Sequence, residues 1–345
     1  MTRLVDGTIE YMLQLDYIID SFSKTKVRKM KPFIRNLLRM SVYQIKYMDA
    51  VPDSAVCNEA VKLAKRHKFA QLSGFVNGVL RNIARNIDSV QFDTLSIRYS
   101  MPQWIVDRFV SAYGEKKAEE IFKAFHSKST ISIRTNLTRC TPDELRAMLE
   151  AEGVTVTAVD ELNYAFVISG FDYLNGLQSF RDGLFYVQDI SSMLVAQTAA
   201  PKKGDYVIDV CAAPGGKSTH IAELLQGSGH VLARDLTDNK VDMIEENIER
   251  HGLNNMSAEV WDATVFDADS AGKADILICD LPCSGLGVLG RKKDIRYKMT
   301  PESVDELAAL QRQILDTVHT YVKPNGVLVY STCTIDEAEN EDNVR

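Results

Sequence analysis

The sequence has no apolar run near the roughly 18 residues that a membrane-spanning helix requires. Its opening, Met1-Thr2-Arg3-Leu4-Val5-Asp6, lacks the apolar stretch of a signal peptide. Six cysteines are scattered through it, Cys57, Cys140, Cys211, Cys279, Cys283 and Cys333, with no Cys-X-X-Cys pair and no Cys/His cluster of zinc spacing. These absences argue against a membrane protein, a disulfide framework and a structural metal. They predict reduced thiols in a cytoplasmic protein. Internal repeats and low-complexity segments are also absent. From Ser21 to Met48 there is no acidic residue, while Lys24, Lys26, Arg28, Lys29, Lys31, Arg35, Arg39 and Lys46 are present.

The chain has 345 residues, 45% hydrophobic and 25% charged, and a net charge of −7. That length accommodates two or three domains, each with its own core. The net charge conceals an asymmetry: residues 1–87 carry +8 and the remainder −15. A basic face of this size attracts polyanions such as RNA, although charge runs are also often solvated helix surface.

Three segments are predicted. Residues 1–87 read as an all-α domain, because Ile34, Leu37, Leu38, Met40, Val42, Ile45 and Met48 recur at helical spacing and Ser54 is placed to cap the next helix. Residues 88–184 read as a small α+β domain. There Thr130–Thr135, Val154–Val159 and Ala165–Ser169 have strand character, and Thr141-Pro142-Asp143-Glu144 is a capping box that opens a helix. From residue 185 to 345 strands alternate with helices, which predicts a doubly wound, mostly parallel α/β sheet. Strands are expected at Tyr206–Val210, His230–Arg234, near Glu259–Trp261, at Ile276–Cys279 and at Val327–Tyr330.

The first of these strands runs into Cys211-Ala212-Ala213-Pro214-Gly215-Gly216-Lys217. Small residues ahead of a helix N-terminus let the backbone approach a ligand. Gly216-Lys217-Ser218 imitates the end of a P-loop, but Cys211 stands where that motif needs glycine, which weakens an NTPase reading. The turn is not GxGxxG either. Asp235, ending the second strand, is placed to grip ribose hydroxyls, and Asp262, after the third, to reach a base.

Cys283 lies in Asp280-Leu281-Pro282-Cys283-Ser284-Gly285 and Cys333 in Tyr330-Ser331-Thr332-Cys333-Thr334, each just past a predicted buried strand. Ligands of open α/β sheets bind beyond the carboxyl ends of the strands. A thiolate is a strong nucleophile. Added to carbon 6 of a pyrimidine, it makes carbon 5 enamine-like and able to accept a methyl group. Such a scheme needs a nucleophile, an acid group near ring N3 and a means of release, which Cys333, Asp280 and Cys283 can supply. Arg291–Lys298, with five basic residues in eight, is expected beside the site, in contact with phosphates or solvent. Cys57 and Cys279 read as packing residues.

These motifs together resemble the Sun/Fmu (RsmB) family of 16S ribosomal RNA cytosine-C5 methyltransferases, over essentially the whole chain. Pro52–Val61 and Phe75–Arg81 resemble a NusB-type RNA-binding domain, Gln188–Ser192 the entry to the catalytic domain, and Asn340-Glu341 the segment after the last cysteine. The resemblance implies a Rossmann-like methyltransferase domain preceded by NusB-like and small α+β domains, acting as a monomer on 16S rRNA. It implies that Cys211–Lys217 form the S-adenosylmethionine loop, that Asp235 holds the ribose and Asp262 lies at the adenine. Asp280 is then set between donor and base, Cys333 is the nucleophile and Cys283 assists release. Leu281 replaces the family's usual alanine, and Lys292-Lys293 its usual His-Pro. Both ends look cut short of the family pattern, which predicts an exposed sheet edge and lowered stability or activity. Two other readings are a non-catalytic RNA-binding assembly protein on the same fold and, more weakly, the P-loop NTPase.

Overall fold

The computed structural model describes residues 2–127 and 130–345, so the expectation that rests on Met1 lies outside the described residues. The chain divides into two compact units, Met1–Ser127 with Val288–Pro301 and Lys128–Gly287 with Glu302–Arg345.

The first unit is helical. Helices Thr2–Glu10, Met12–Phe22, Pro32–Tyr47, Asp53–Arg66 and Ser73–Asn86 surround a core that includes Leu15, Ile18, Leu38, Val42, Ala60, Ala64, Val76 and Leu80. The 3.6-residue spacing read from Ile34 to Val42 is the buried stripe of the third helix. Ser54 does not cap: the helix already begins at Asp53, flanked by Pro52. Lys24, Lys26, Arg28, Lys29 and Lys31 are exposed, whereas Arg39 is paired with Asp16 at 2.5 Å and Lys46 lies over the Phe92 ring. Helices Gln103–Tyr113 and Glu115–Phe125 also belong to this unit.

So does the basic segment 288–301, because of Arg296. Its side chain is fully buried, and its guanidinium donates to the carbonyls of Leu289, Glu10 and Ser100. Lys293 pairs with Glu10, and Lys298 with Asp294. Of the basic side chains expected to meet phosphate or solvent, Arg296 is therefore a buried anchor and Lys293 is held by Glu10, whereas Lys298 stays exposed beside Asp294.

The second unit holds two sheets. Strands β1 (Ile131–Thr135), β2 (Thr155–Val159), β3 (Leu162–Ser169) and β4 (Phe185–Val187) form an antiparallel sheet in the order β2-β3-β1-β4. The Thr141/Glu144 capping box opens helix Pro142–Ala151, which packs on it. Phe185–Val187, at the start of the third predicted segment, pairs with β1 and so extends this sheet. Strands β5 (Tyr206–Asp209), β6 (His230–Asp235), β7 (Met256–Val260), β8 (Ala274–Asp280) and β9 (Val322–Ser331) form a parallel sheet in the order β7-β6-β5-β8-β9. Helices Ile190–Ala199, Gly216–Leu224 and Asp238–His251 pack on it, as does Pro301–Val318. Strand β7 lies three residues earlier than expected. The strand order reverses at β5, whose neighbours are β6 and β8, so the ligand crevice of this topology opens past Asp209 and Asp280. Among the described residues, no helix is long and apolar enough to cross a membrane.

Arg134 of β1 ties the two sheets together. It is 1% exposed and pairs with Glu223 at 2.9 Å. It also donates to the Gly216 carbonyl at 2.9 Å and to the Gln188 side chain. The antiparallel sheet thus grips the first turn of the helix that follows β5.

Candidate active site

Strands β8 and β9 run in parallel register, with Asp280 opposite Ser331. Each chain then leaves the sheet in the same direction, and neighbouring strands are about 4.8 Å apart. Cys283, three residues past Asp280, and Cys333, two past Ser331, therefore arrive side by side. Their sulfurs are 3.1 Å apart, and the Cys333 N–H donates to the Cys283 sulfur at 3.2 Å. Cys333 is exposed and Cys283 partly covered. The hydrogen-bonded Cys333 thiol, aided by burial, pushes the Cys283 thiol far above its ordinary range, so Cys283 holds its proton at neutral pH. Gly287 packs closely against the Cys333 backbone. Its N–H donates to the Cys333 carbonyl at 3.1 Å, and a β-carbon there would come within 2.8 Å of that oxygen.

Asp280 sits at the carboxyl end of β8 beside the thiols. Its carboxylate accepts from the Ser331 hydroxyl at 2.8 Å and from the Lys217 ammonium at 2.5 Å. Lys217 thus projects from the glycine-rich turn to the cysteine side of the crevice, a link between residues 63 apart in sequence.

The turn itself is fixed from several directions. Gly215 has φ of +102° at the N-terminus of helix Gly216–Leu224, a conformation that favours glycine. Asp209 ends β5 at 1% exposure and accepts from the Ser218 hydroxyl at 2.5 Å and the Cys211 N–H at 3.4 Å. Burial pushes its carboxyl up to about 7, against the pull of the Ser218 hydrogen bond. A raised acid stabilises the fold fully below its unfolded value near 4, and that contribution falls away as pH rises through about 7. Asp209→Asn should therefore gain melting temperature relative to the parent between pH 5 and pH 8. A difference that stays constant across that range would show Asp209 ionised throughout.

Asp235 is buried at the end of β6 and accepts from the Ala213 N–H at 2.9 Å, the Leu236 N–H at 2.8 Å and the Lys240 ammonium at 2.8 Å. It thus touches the turn directly, and only the half-exposed Lys240 would need to yield for a ligand hydroxyl. Asp262 is exposed instead, its carboxylate accepting from the N–H and hydroxyl of Thr264 in its own turn. Those bonds hold it below the usual carboxylate range. The structure therefore brings Cys283 to Cys333, Lys217 to Asp280, and Ala213 to Asp235, the first two pairs at the carboxyl ends of the neighbouring strands β8 and β9. It leaves Asp262 at the surface near β7. Cys57 and Cys279 are buried in the cores, as their packing reading requires.

The crevice therefore presents the N-terminus of helix Gly216–Leu224 and the buried carboxylate of Asp235.

Residues 196–345 match the family described as 16S rRNA methyltransferase RsmB/F, residues 1–85 the NusB family, and residues 101–171 the ferredoxin-like domain of RsmF/B-like methyltransferases. A probable ribosomal RNA small subunit methyltransferase B of Bacillus subtilis is 38% identical over 99% of this chain and 78% of its own length. Among solved structures, PH0851 superposes with a TM-score of 0.85 at 25% identity, covering 100% of this chain and 79% of that one. NSun6 from Pyrococcus horikoshii, solved with SFG, gives 0.65 at 25% identity over 70% and 86%. The chain belongs to the RsmB/F family of small-subunit ribosomal RNA methyltransferases.

Proposed function

We propose that this rRNA methyltransferase transfers a methyl group from S-adenosylmethionine to carbon 5 of a cytosine in 16S rRNA, through a covalent bond between Cys333 and carbon 6. The observation that carries this reading is the pair of thiols 3.1 Å apart beside a lysine-bound carboxylate. A methyltransferase acting on a nucleophilic nitrogen or oxygen has no use for two such cysteines. The donor assignment is supported by the family match and by the structural relative solved with SFG, an S-adenosylmethionine analogue.

Cys211–Lys217 cradle the donor, Asp235 holds its ribose, and Asp262 meets the adenine after turning from its local bonds. Bound S-adenosylmethionine supplies an electrophilic methyl on a sulfonium. The target base is extruded from its stack. The exposed thiol Cys333 attacks carbon 6 as its thiolate. As the adduct forms, the Lys217 ammonium passes a proton through the Asp280 carboxylate, which Ser331 orients, to ring N3, and this neutralises the electron-rich ring that results. Carbon 5 then takes the methyl group. A solvent water takes the carbon-5 proton, the electron pair left behind re-forms the carbon 5–carbon 6 double bond, the Cys333 sulfur leaves as its thiolate, and N3 returns its proton through Asp280. Cys283, which keeps its proton and already contacts the Cys333 sulfur, assists that departure. The N-terminal helical unit, with Lys24, Lys26, Arg28, Lys29 and Lys31 exposed, adds non-specific affinity for the RNA backbone.

The test is Cys283→Ala. With RNA and S-adenosylmethionine, it should accumulate a protein–RNA adduct that survives denaturing electrophoresis and is absent from the Cys283→Ala/Cys333→Ala double variant. An adduct that persists in the double variant would contradict the assignment of Cys333. Absence of methyl transfer by the parent would favour a protein that only binds RNA.

A further inference from the structure

The segment after Cys333 carries a buried carboxylate that the scheme above does not use. Glu339 is 0% exposed, although it lies in the acidic run Asp336–Asp342. It accepts from the Ser284 N–H at 2.8 Å and also from the Ser284 hydroxyl, so it binds the residue next to Cys283 twice. It also accepts at 3.0 Å from the side-chain amide of Gln311, itself fully buried. The same Gln311 nitrogen donates to the Pro282 carbonyl at 2.8 Å. The peptide units on both sides of Cys283 are therefore held by two buried side chains that hold each other. The Gln311 carbonyl oxygen is in turn fixed by Asn343 at 2.8 Å and Tyr330 at 3.2 Å.

The other thiol is fixed from the same segment. Asn340, next to Glu339, accepts from the Thr332 hydroxyl at 2.6 Å and donates to the Thr334 carbonyl at 3.3 Å, on either side of Cys333. Ser284 and Thr334 then bond across the gap at 3.1 Å. A buried carboxylate is costly to desolvate unless it is fully bonded. Placing one here, with a bidentate grip on a single serine, is a strong constraint on one loop.

We infer that Glu339 is a positioning residue for Cys283: it sets the separation of the two thiols, and through it the release of product from Cys333. The inference rests on the reading of Cys283 as the group that assists release. Glu339 touches neither base nor donor. Its loss therefore acts on release more than on binding or methyl transfer.

The experiment compares Glu339→Gln, Ser284→Ala and Cys283→Ala, each checked for a parent-like melting transition. Glu339→Gln keeps the volume but turns one acceptor into a donor facing Ser284; Ser284→Ala removes only the hydroxyl and preserves folding if the glutamine variant does not. Both should lower kcat at least tenfold with KM for RNA changed less than threefold, and both should accumulate the denaturant-resistant adduct seen with Cys283→Ala. Diamide, which oxidises two neighbouring thiols to a disulfide while its azo bond is reduced to a hydrazide, gives a readout independent of catalysis. It should link Cys283 to Cys333 more slowly in both variants than in the parent. If Cys283→Ala accumulates adduct while the other two turn over normally, the positioning role is overturned and the release reading stands. If Cys283→Ala accumulates none, the release reading itself fails. Unchanged linking by diamide in Glu339→Gln and Ser284→Ala would also overturn the inference, because the thiol separation would not depend on Glu339.

Discussion

Cys333→Ala should abolish methyl transfer, lowering the single-turnover rate by about four orders of magnitude or more, as removal of a covalent nucleophile does elsewhere. Carbon 5 of the resting cytosine ring is not nucleophilic, so donor and base held together without the thiol remain unreactive. The variant should otherwise be intact. Cys333 is exposed, and truncating an exposed side chain shifts stability by roughly 0.5 kcal/mol or less. Stabilisation of the protein by S-adenosylmethionine in a thermal shift should persist, because the turn at Cys211–Lys217 and Asp235 is untouched. A variant that retained even one per cent of the parent rate would place the nucleophile elsewhere, with Cys283 the first candidate.

Arg134→Met should give the largest loss of stability of any single substitution considered, about 3–5 kcal/mol by chemical denaturation. The reason is the company Arg134 leaves behind. Glu223 is 4% exposed and would stay buried without its cation. The neighbouring His251, 0% exposed with its Nδ1 at 3.4 Å from Glu223, cannot replace it, because burial holds its pKa below the ordinary histidine value. The carbonyl of Gly216 would lose its guanidinium donor at the same time and keep the longer bond from the Thr219 hydroxyl, so the first turn of helix Gly216–Leu224 should loosen. The Arg134→Met/Glu223→Leu pair should recover much of the stability, since an apolar pair removes the uncompensated charge. Recovery of stability without recovery of S-adenosylmethionine affinity would separate the bond to Gly216 from the ion pair. Little change on either count would contradict the role of Arg134 as the tie between the sheets.

The sequence disclosed the site through its strands. Ile276–Cys279 and Val327–Tyr330 are short apolar runs that read as buried strands, and the cysteines just past them do meet at one sheet edge; the first run is buried, but the second lies in the edge strand β9, where Val327 and Leu328 are exposed. The turn from Cys211 to Lys217 was equally legible, because small residues before a helix have few other uses. What stayed hidden depended on pairing across long separations. Lys217 reaches Asp280 only because β5 and β8 are neighbours, and Arg134 reaches Gly216 across 82 residues. Glu339 was disguised by its setting: an acid among Asp336, Glu337, Glu341 and Asp342 reads as solvated, yet it is fully buried, and Asp336 is buried as well. Arg296 was disguised in the same way within its basic run.

Element edges failed for local reasons. Met256-Ser257-Ala258-Glu259-Val260 has little of the β-branched character that marks a strand, so its pattern points to a start three residues too late for β7. Strand β9 starts at Val322, before Pro324 and Gly326, two residues that ordinarily end a strand; an irregularity in its pairing with β8 accommodates them. Strand β4 is three residues long, too short for alternation to reveal, and it carries the antiparallel sheet past residue 184.

The most direct test of the account uses the parent enzyme and RNA in which the target cytosine carries fluorine at carbon 5. Fluorine cannot leave as the proton does, so after methyl transfer the carbon–sulfur bond has no route to break. Digestion of the trapped complex and mass spectrometry of the cross-linked peptide should find the methylated nucleotide on Cys333, in the segment Ser331-Thr332-Cys333-Thr334. A cross-link at Cys283, or none alongside methylation of unmodified RNA at the normal rate, would contradict it.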